Sequence, residues 1–361
     1  MARHGPTNLL AFISLASIAA AGGGEGEPWS PEQDGAPAAG VVHSEHADHG
    51  AAGHVHHGGW APIGVMGDHV HGRGEWMFSL RYVRMTMDGN LDGTDSVSRA
   101  EIHAQGFPVA PLSMDMNMLM AGFMYGLTDT WTLAAMIPYV DLSMDLRTMA
   151  GVDFTTRAAG VGDVRAGALW KFWDSGEHHR AHLNAMFSAP TGSIDEKDQT
   201  PASGGADVQL PYPMQLGSGT WDLLPGITYL GNAGDWSWGA QWIQTLRLGE
   251  NERDYTLGDR SDLTAWAARD LSPTTSLSLR AAGARWGNID GADPDLNPGL
   301  VPTADPDLRA GTRVDLLAGF GWHGASGNRF TIEVGTPVYQ DLDGPQLATD
   351  LVLVLGWQLL R

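Results

Sequence analysis

From Glu75 to the C-terminus, apolar and polar residues alternate with a period of two in one segment after another. That pattern commits the chain to β-strands with two unlike faces. Asp235 to Leu248 shows it plainly. Trp236, Trp238, Ala240, Trp242 and Leu246 share one face, and Ser237, Gln241, Thr245 and Arg247 share the other. Between Gly162 and Trp173, Val164, Ala166, Ala168, Trp170 and Phe172 oppose Asp163, Arg165, Gly167 and Lys171. Val314, Leu316, Ala318, Phe320 and Trp322 likewise oppose Arg313, Asp315, Gly319 and Gly321. Twelve strands are predicted, at 75–87, 112–126, 130–146, 161–174, 180–190, 218–230, 235–248, 258–270, 275–287, 311–323, 329–339 and 347–359.

The connections alternate in length. Short turns fall at Gly126 to Asp129, Asp174 to Glu177, Gly231 to Asp235, Ser272 to Thr275 and Ala325 to Asn328, with longer links rich in Gly, Pro and Asp between them. Short turns at one rim and long loops at the other are the habit of outer-membrane barrels, and aromatic residues near strand ends suit their two girdles. Trp76, Tyr125, Trp131, Tyr139, Trp221, Tyr229, Trp322 and Trp357 stand there. The fold class is therefore all-β: a transmembrane, up-and-down antiparallel β-barrel of about twelve strands over residues 73–361. A soluble β-sandwich or barrel is the competing architecture. After the N-terminus no run of about 18 apolar residues occurs, which excludes a bundle of membrane helices. The last segment closes on Trp357 and then Gln-Leu-Leu-Arg361, so a small C-terminal extension beyond the barrel is expected.

Two segments precede the barrel. Arg3 and His4 followed by the apolar stretch Leu9 to Ala21 read as an export signal, assigned to residues 1–21. Residues 22–72 are rich in Gly, Ala, Pro, Glu and His and are expected to form a disordered periplasmic leader. His43, His46, His49, His54, His56 and His57 crowd into it, with His69 and His71 following beside Asp68. Neutral imidazoles at such spacing are candidate ligands for copper or zinc. There is no cysteine, so disulfides and thiolate metal sites are out, and the net charge of −21 repels nucleic acid. The partners that suit this surface are outer-membrane lipid and lipopolysaccharide, with metal ions bridging to lipid phosphates, and small solutes inside.

If the apolar faces meet lipid, the opposite faces line a lumen. It would hold Arg81, Asp163, Arg165, Lys171, His182, Asn184, Gln241, Arg247, Arg280, Arg313, Asp315, Glu333 and Asp350. Charges of both signs there need water or each other. Strand parity also turns Met77, Met85 and Met87 inward, with Met114, Met116, Met118, Met120 and Met124 on the next strand and Met136 and Met144 on the third. Met85, Met87, Met114, Met116, Met118 and Met144 fall near the external mouth. Thioethers select Cu(I) over harder ions, and they are also adaptable packing groups; the opposite parity would turn them to lipid and put Asp115 and Asn117 inside.

Asp88 to Gly93 imitates half a calcium loop, but Arg99 stands where the bidentate Glu is needed. No catalytic set is evident. Three stretches, Gly64 to Asn90, Met124 to Tyr139 and Leu210 to Tyr229, resemble an outer-membrane channel family linked to meta-pathway phenol degradation, whose members often carry only the label transporter. The resemblance runs from about residue 60 to the end. It implies a barrel and passage of small organic molecules, and it assigns no residue a role. Three functions follow as expectations: an outer-membrane channel for small solutes, a metal-binding surface protein, and a structural barrel without conductance.

Overall fold

The computed structural model describes residues 61–361 apart from Glu177. The segment assigned to an export signal, most of the expected leader, and His43, His46, His49, His54, His56 and His57 lie outside the described residues.

The wall begins with β1 (Trp76–Gly93), β2 (Val109–Gly126) and β3 (Trp131–Thr148). β4 (Asp153–Val161) pairs with β3 from Tyr139 to Arg147, and β5 (Val164–Asp174) pairs with β3 from Trp131 to Met136. The two form one stave, interrupted at Gly162 and Asp163. β6 (His179–Ala189), β7 (Trp221–Ala233), β8 (Trp236–Leu248), β9 (Arg260–Ser272), β10 (Thr275–Trp286) and β11 (Gly311–His323) follow in order. β12 (Asn328–Leu360) doubles back on itself near Gly344: its first part pairs with β11 and its second with β1. That last pairing closes the sheet, and every pairing in the wall is antiparallel. Eleven strands lie on the ring, with β4 and Asp95–Val97 added to it. Because β12 passes twice, the wall is crossed twelve times.

The burial pattern is that of a soluble barrel turned inside out. Leu119, Phe123, Trp131, Leu133, Ile137, Phe187, Leu279 and Phe330 stand exposed on the outer face, while Ser79, Thr132, His182, Asn184, Gln241 and Glu333 are buried inside. Water would not tolerate so large a continuous apolar surface, and lipid would. The first three staves run further than the alternation suggested. β1 reaches Gly93, β2 starts at Val109 and β3 reaches Thr148. The reason is visible on their outer faces, where Arg84 pairs with Asp115 at 3.0 Å and Ser113 meets Asp145 at 3.3 Å. Beyond the apolar belt the outer face turns polar while Met87, Met114 and Met144 keep the inner face apolar, so the strands continue although their outer faces no longer carry the apolar signal.

The C-terminus corrects another expectation. Trp76 N–H donates to the Arg361 carbonyl at 2.8 Å, and Arg361 N–H returns the bond to Trp76 at 2.9 Å. Leu359, Leu360 and Arg361 are therefore paired members of the closing strand and not an extension of it. At the long-loop end, α1 (Arg99–Ala104) is started by a Ser98–Glu101 capping box. There the segments around Tyr212–Met214 and Pro302–Ala304 carry side chains that pack onto the inner face of the wall.

Candidate functional site

The lumen is built in three tiers. The lowest is a segment, residues 61–74, that folds inside the wall instead of belonging to a disordered leader. Ala61, Ile63, Val65, Asp68 and His71 are all buried. Its polar backbone is satisfied by the barrel, as burial requires. Arg329 on β12 donates to the Ala61 carbonyl at 2.9 Å, and Arg81 on β1 donates to Ile63 at 3.0 Å. Gly64 N–H donates to Glu333 at 2.6 Å, and Glu333 is itself paired with Arg280 on β10 at 2.9 Å. Gln241 on β8 donates to Met66 at 2.9 Å. The Gly67 carbonyl accepts from Asn184 at 3.0 Å and from His182 Nε2 at 2.9 Å, both on β6. A carbonyl cannot donate, so His182 carries its proton on Nε2. His71 N–H reaches Thr132 on β3 at 2.8 Å. The segment thus crosses the lumen from β12 to β3 and acts as a plug.

Two glycines permit that docking. Gly67 adopts φ 61°, a turn that L side chains resist. A Cβ on Gly126 would lie 1.9 Å from the Gly72 carbonyl, so the plug backbone can pass the β2 end only there. Burial draws the His71 imidazole down to about 3, with His69 adding to the shift and Asp68 opposing it. Burial alone would raise the Asp68 carboxyl. His69, through charge and a hydrogen bond, together with Arg329 and Arg81, holds it well below the usual range instead. The His69 and His71 rings touch, with centroids 4.5 Å apart. Among the described residues no group of three or more His, Asp or Glu side chains is arranged to hold a metal ion.

Above the plug lies a cavity of about 230 Å³, with Met66 on its floor and Arg280, Arg313, Met118, Met120 and Val352 among its walls. Guanidiniums ring this level. Arg247 on β8 pairs with Asp222 on β7, Arg260 with Asp262 at 2.8 Å on β9, and Arg313 with Asp315 at 3.1 Å on β11. Arg165 on β5 makes no ion pair among the described residues and feels the charges of Arg247 and Arg260, opposed by those of Asp163 and Asp222. Asp163, just before it, is spent on the loops, accepting from Gly192 N–H at 2.9 Å and from Ser218 N–H at 2.8 Å.

The top tier is the loop cover. Met114 and Met144 lie in a buried apolar cluster with Leu210, Met214, Val301 and Ala304, and Met87 and Met116 pack against it. The register sets Met87 opposite Met114, and Met114 opposite Met144. Met85 lies opposite Met116 and takes contacts at its sulfur from Arg313 at 3.5 Å and Thr349 at 3.7 Å. The methionines therefore face inward, as parity indicated, and loop residues share their space.

Of the residues assigned to the lumen, Arg81, Arg165, His182, Asn184, Gln241, Arg247, Arg280, Arg313, Asp315 and Glu333 lie on the inner face, and Lys171 sits at the short-turn rim in a pair with Asp174 at 2.8 Å. Asp350 does not. The register shifts by one residue between Thr86 and Met87, which pair with Leu351 and Thr349. Thr349 takes the inner position and Asp350 is exposed outside. Sequence reasoning missed Arg260, Asp262 and Asp222, although strict parity on their strands contained them. It also missed Arg309 and Thr303 on the loop cover, for which no periodic signal exists.

The comparisons with known proteins agree with this architecture. The COG4313 outer membrane channel from Pseudomonas putida F1 superposes with a TM-score of 0.61 at 15% identity, covering 82% of this chain and 98% of that one. The translocator domain of the autotransporter NalP from Neisseria meningitidis reaches a TM-score of only 0.44 at 10% identity, covering 80% of this chain and 90% of that one. No curated protein matches the sequence. A family profile matches residues 98–333, well over half of the chain, and on that match the chain belongs to the family described as "Putative MetA-pathway of phenol degradation".

Proposed function

We propose that the protein is an outer-membrane channel for small solutes, with its short-turn end and N-terminal leader in the periplasm. One observation carries the reading: a closed wall, apolar outside, encloses a charged cavity of about 230 Å³ between a plug and a loop cover. Outer-membrane barrels place short turns on the periplasmic side, which supports the orientation. The polar outer face above the belt, with its Arg84–Asp115 pair, suits lipopolysaccharide headgroups and their bridging cations.

The lumen has a basis for selection. The wall of the cavity above the plug carries four arginines, Arg81, Arg260, Arg280 and Arg313, against two carboxylates, Asp262 and Asp315. The surplus of guanidiniums favours anions, because charges in a narrow low-dielectric lumen are felt strongly. Met118, Met120 and Val352 give the same cavity an apolar wall, so small organic solutes fit as well as inorganic ones. The test is current across planar bilayers containing the purified full chain. Discrete conductance steps with an anion-selective reversal potential are expected. No current, either from the full chain or after deletion of residues 61–72, would overturn the channel reading and leave a structural barrel.

A further inference from the structure

A second cavity, of about 180 Å³, lies under the loop cover and is lined in part by Met87, Met114, Met144, Trp286, Thr303 and Arg309. Two of those side chains hold unsatisfied donors. Nη1 of Arg309 and Oγ1 of Thr303 are sealed from solvent, and neither has a hydrogen-bond partner. Buried polar atoms without partners are rare and costly, so two on one cavity call for a ligand that accepts hydrogen bonds. Arg309 is otherwise anchored: Nη2 donates to Gln346 at 3.1 Å and its backbone N–H to Asn288 at 2.7 Å. Burial lowers its pKa to about 10, with Asp305 and Tyr212 pulling the other way, so it remains a cation at neutral pH.

The rest of the lining is apolar and polarisable. Three thioethers stand side by side on β1, β2 and β3, and the Trp286 indole is fixed by its Nε1–H bond to the Arg309 carbonyl at 2.7 Å. Sulfur makes favourable contacts with aromatic ring edges, and a flat indole with ring faces. The thioethers by themselves would also suit a soft monovalent cation. The charged groups on the cavity are Arg309 and Arg313, however, and they repel one.

We infer that this cavity is a binding site for a small apolar carboxylate, one ring in size, whose carboxylate is held by Arg309 and Thr303 and whose ring lies against Met87, Met114, Met144 and Trp286. The site would load solute at the outer mouth before it meets the arginine tier. Its role in uptake rests on the channel reading, but binding can be measured without transport.

The probe is radiolabelled benzoate in equilibrium dialysis against the detergent-solubilised full chain. Saturable binding to one site per chain is expected, with acetate and benzyl alcohol competing at least tenfold less well. Arg309→Met should weaken benzoate at least tenfold and Thr303→Val severalfold. Met114→Trp, which fills the cavity from the wall, should abolish binding. Heat-dependent gel mobility reports folding of each variant, and Thr303→Val serves if Arg309→Met does not fold. Unchanged affinity in Thr303→Val and Met114→Trp would overturn the site. So would Ag(I) binding that Met114→Leu removes in a protein that ignores benzoate. Binding without bilayer current would sink the channel reading and leave the site standing, whereas current without binding would do the reverse.

Discussion

Arg165 shows what a single unpaired charge does in a lumen. Its neighbours Arg247, Arg260 and Arg313 are each paired with a carboxylate, whereas Arg165 makes no ion pair among the described residues and meets Asp163 and Asp222 only through longer-range charge. Reversing its sign changes the tier by two charges without breaking an ion pair. Arg165→Glu should therefore lower the ratio of anion to cation permeability severalfold and, by setting a third carboxylate near Asp163 and Asp222, cost about 1–3 kcal/mol of stability. An unchanged reversal potential in asymmetric KCl would place the selectivity elsewhere. On the outer face the opposite logic holds. Trp242 is exposed, while its neighbour Gln241 is buried and bonded to the plug. Trp242→Arg should cost roughly 2–4 kcal/mol if the position is near mid-membrane and less than about 1 kcal/mol near an interface. Chemical unfolding in lipid vesicles measures it. Both residues were legible from alternation alone, because period two is a direct imprint of the pleat. Asp350 was not, because one bulged residue reverses the parity after it and leaves no mark in composition.

At the scale of an element, the plug is where sequence reasoning stopped short. Ala61 to Val65 is an apolar stretch too brief to announce a strand or helix, and it adjoins a segment of leader-like composition. What seats it is a set of side-chain bonds to its carbonyls from Arg81, Asn184, Gln241 and Arg329, residues far away in sequence. No local pattern encodes such partners. The seated plug also has a pH dependence whose sign can be worked out. His71 is neutral when docked, with a pKa near 3, and about 6.5 when released. Between those values the released form binds more protons, so docking is favoured above pH 6.5 and weakens as pH falls. The limit is about 1.4 kcal/mol for each pH unit across that window. Asp68 acts in the same direction, since its docked carboxyl is held ionised and acid removes that charge. Acidification from pH 7 to pH 4 should increase opening events or the accessibility of a cysteine placed at Val65, and His71→Phe should flatten that response. A response identical in the variant would assign the titration to another group. Gly126→Val, which collides with the Gly72 carbonyl, should mimic acid at neutral pH by unseating the plug.

For the whole molecule the decisive step is closure, because a barrel with an open edge leaves unpaired backbone groups in lipid. Here the seam is the pairing of β1 with the second half of β12, running from Met77–Leu360 upward. Phe78 and Trp357 pack edge to face at 5.8 Å across it, so an outward aromatic contact sits within the seam and not at the chain end. The alternation gave the number of passes and the faces of the strands. It could not show where the last strand stops, since a polar terminal residue at the rim looks the same whether paired or free. The paired reading makes a specific demand. Removing Leu359, Leu360 and Arg361 deletes the partners of Phe78, Met77 and Trp76 and leaves the start of β1 as an exposed edge. Each lost backbone bond costs about 0.5–1.5 kcal/mol in ordinary surroundings and more where water is absent. The truncated chain should therefore lose its folded, fast-migrating form in detergent gels at a temperature well below that of the full chain. A variant with Leu359 and Leu360 both changed to alanine keeps the backbone pairs and should fall between the two. Equal melting of the truncated and full chains would mean that the seam is held without its last three residues.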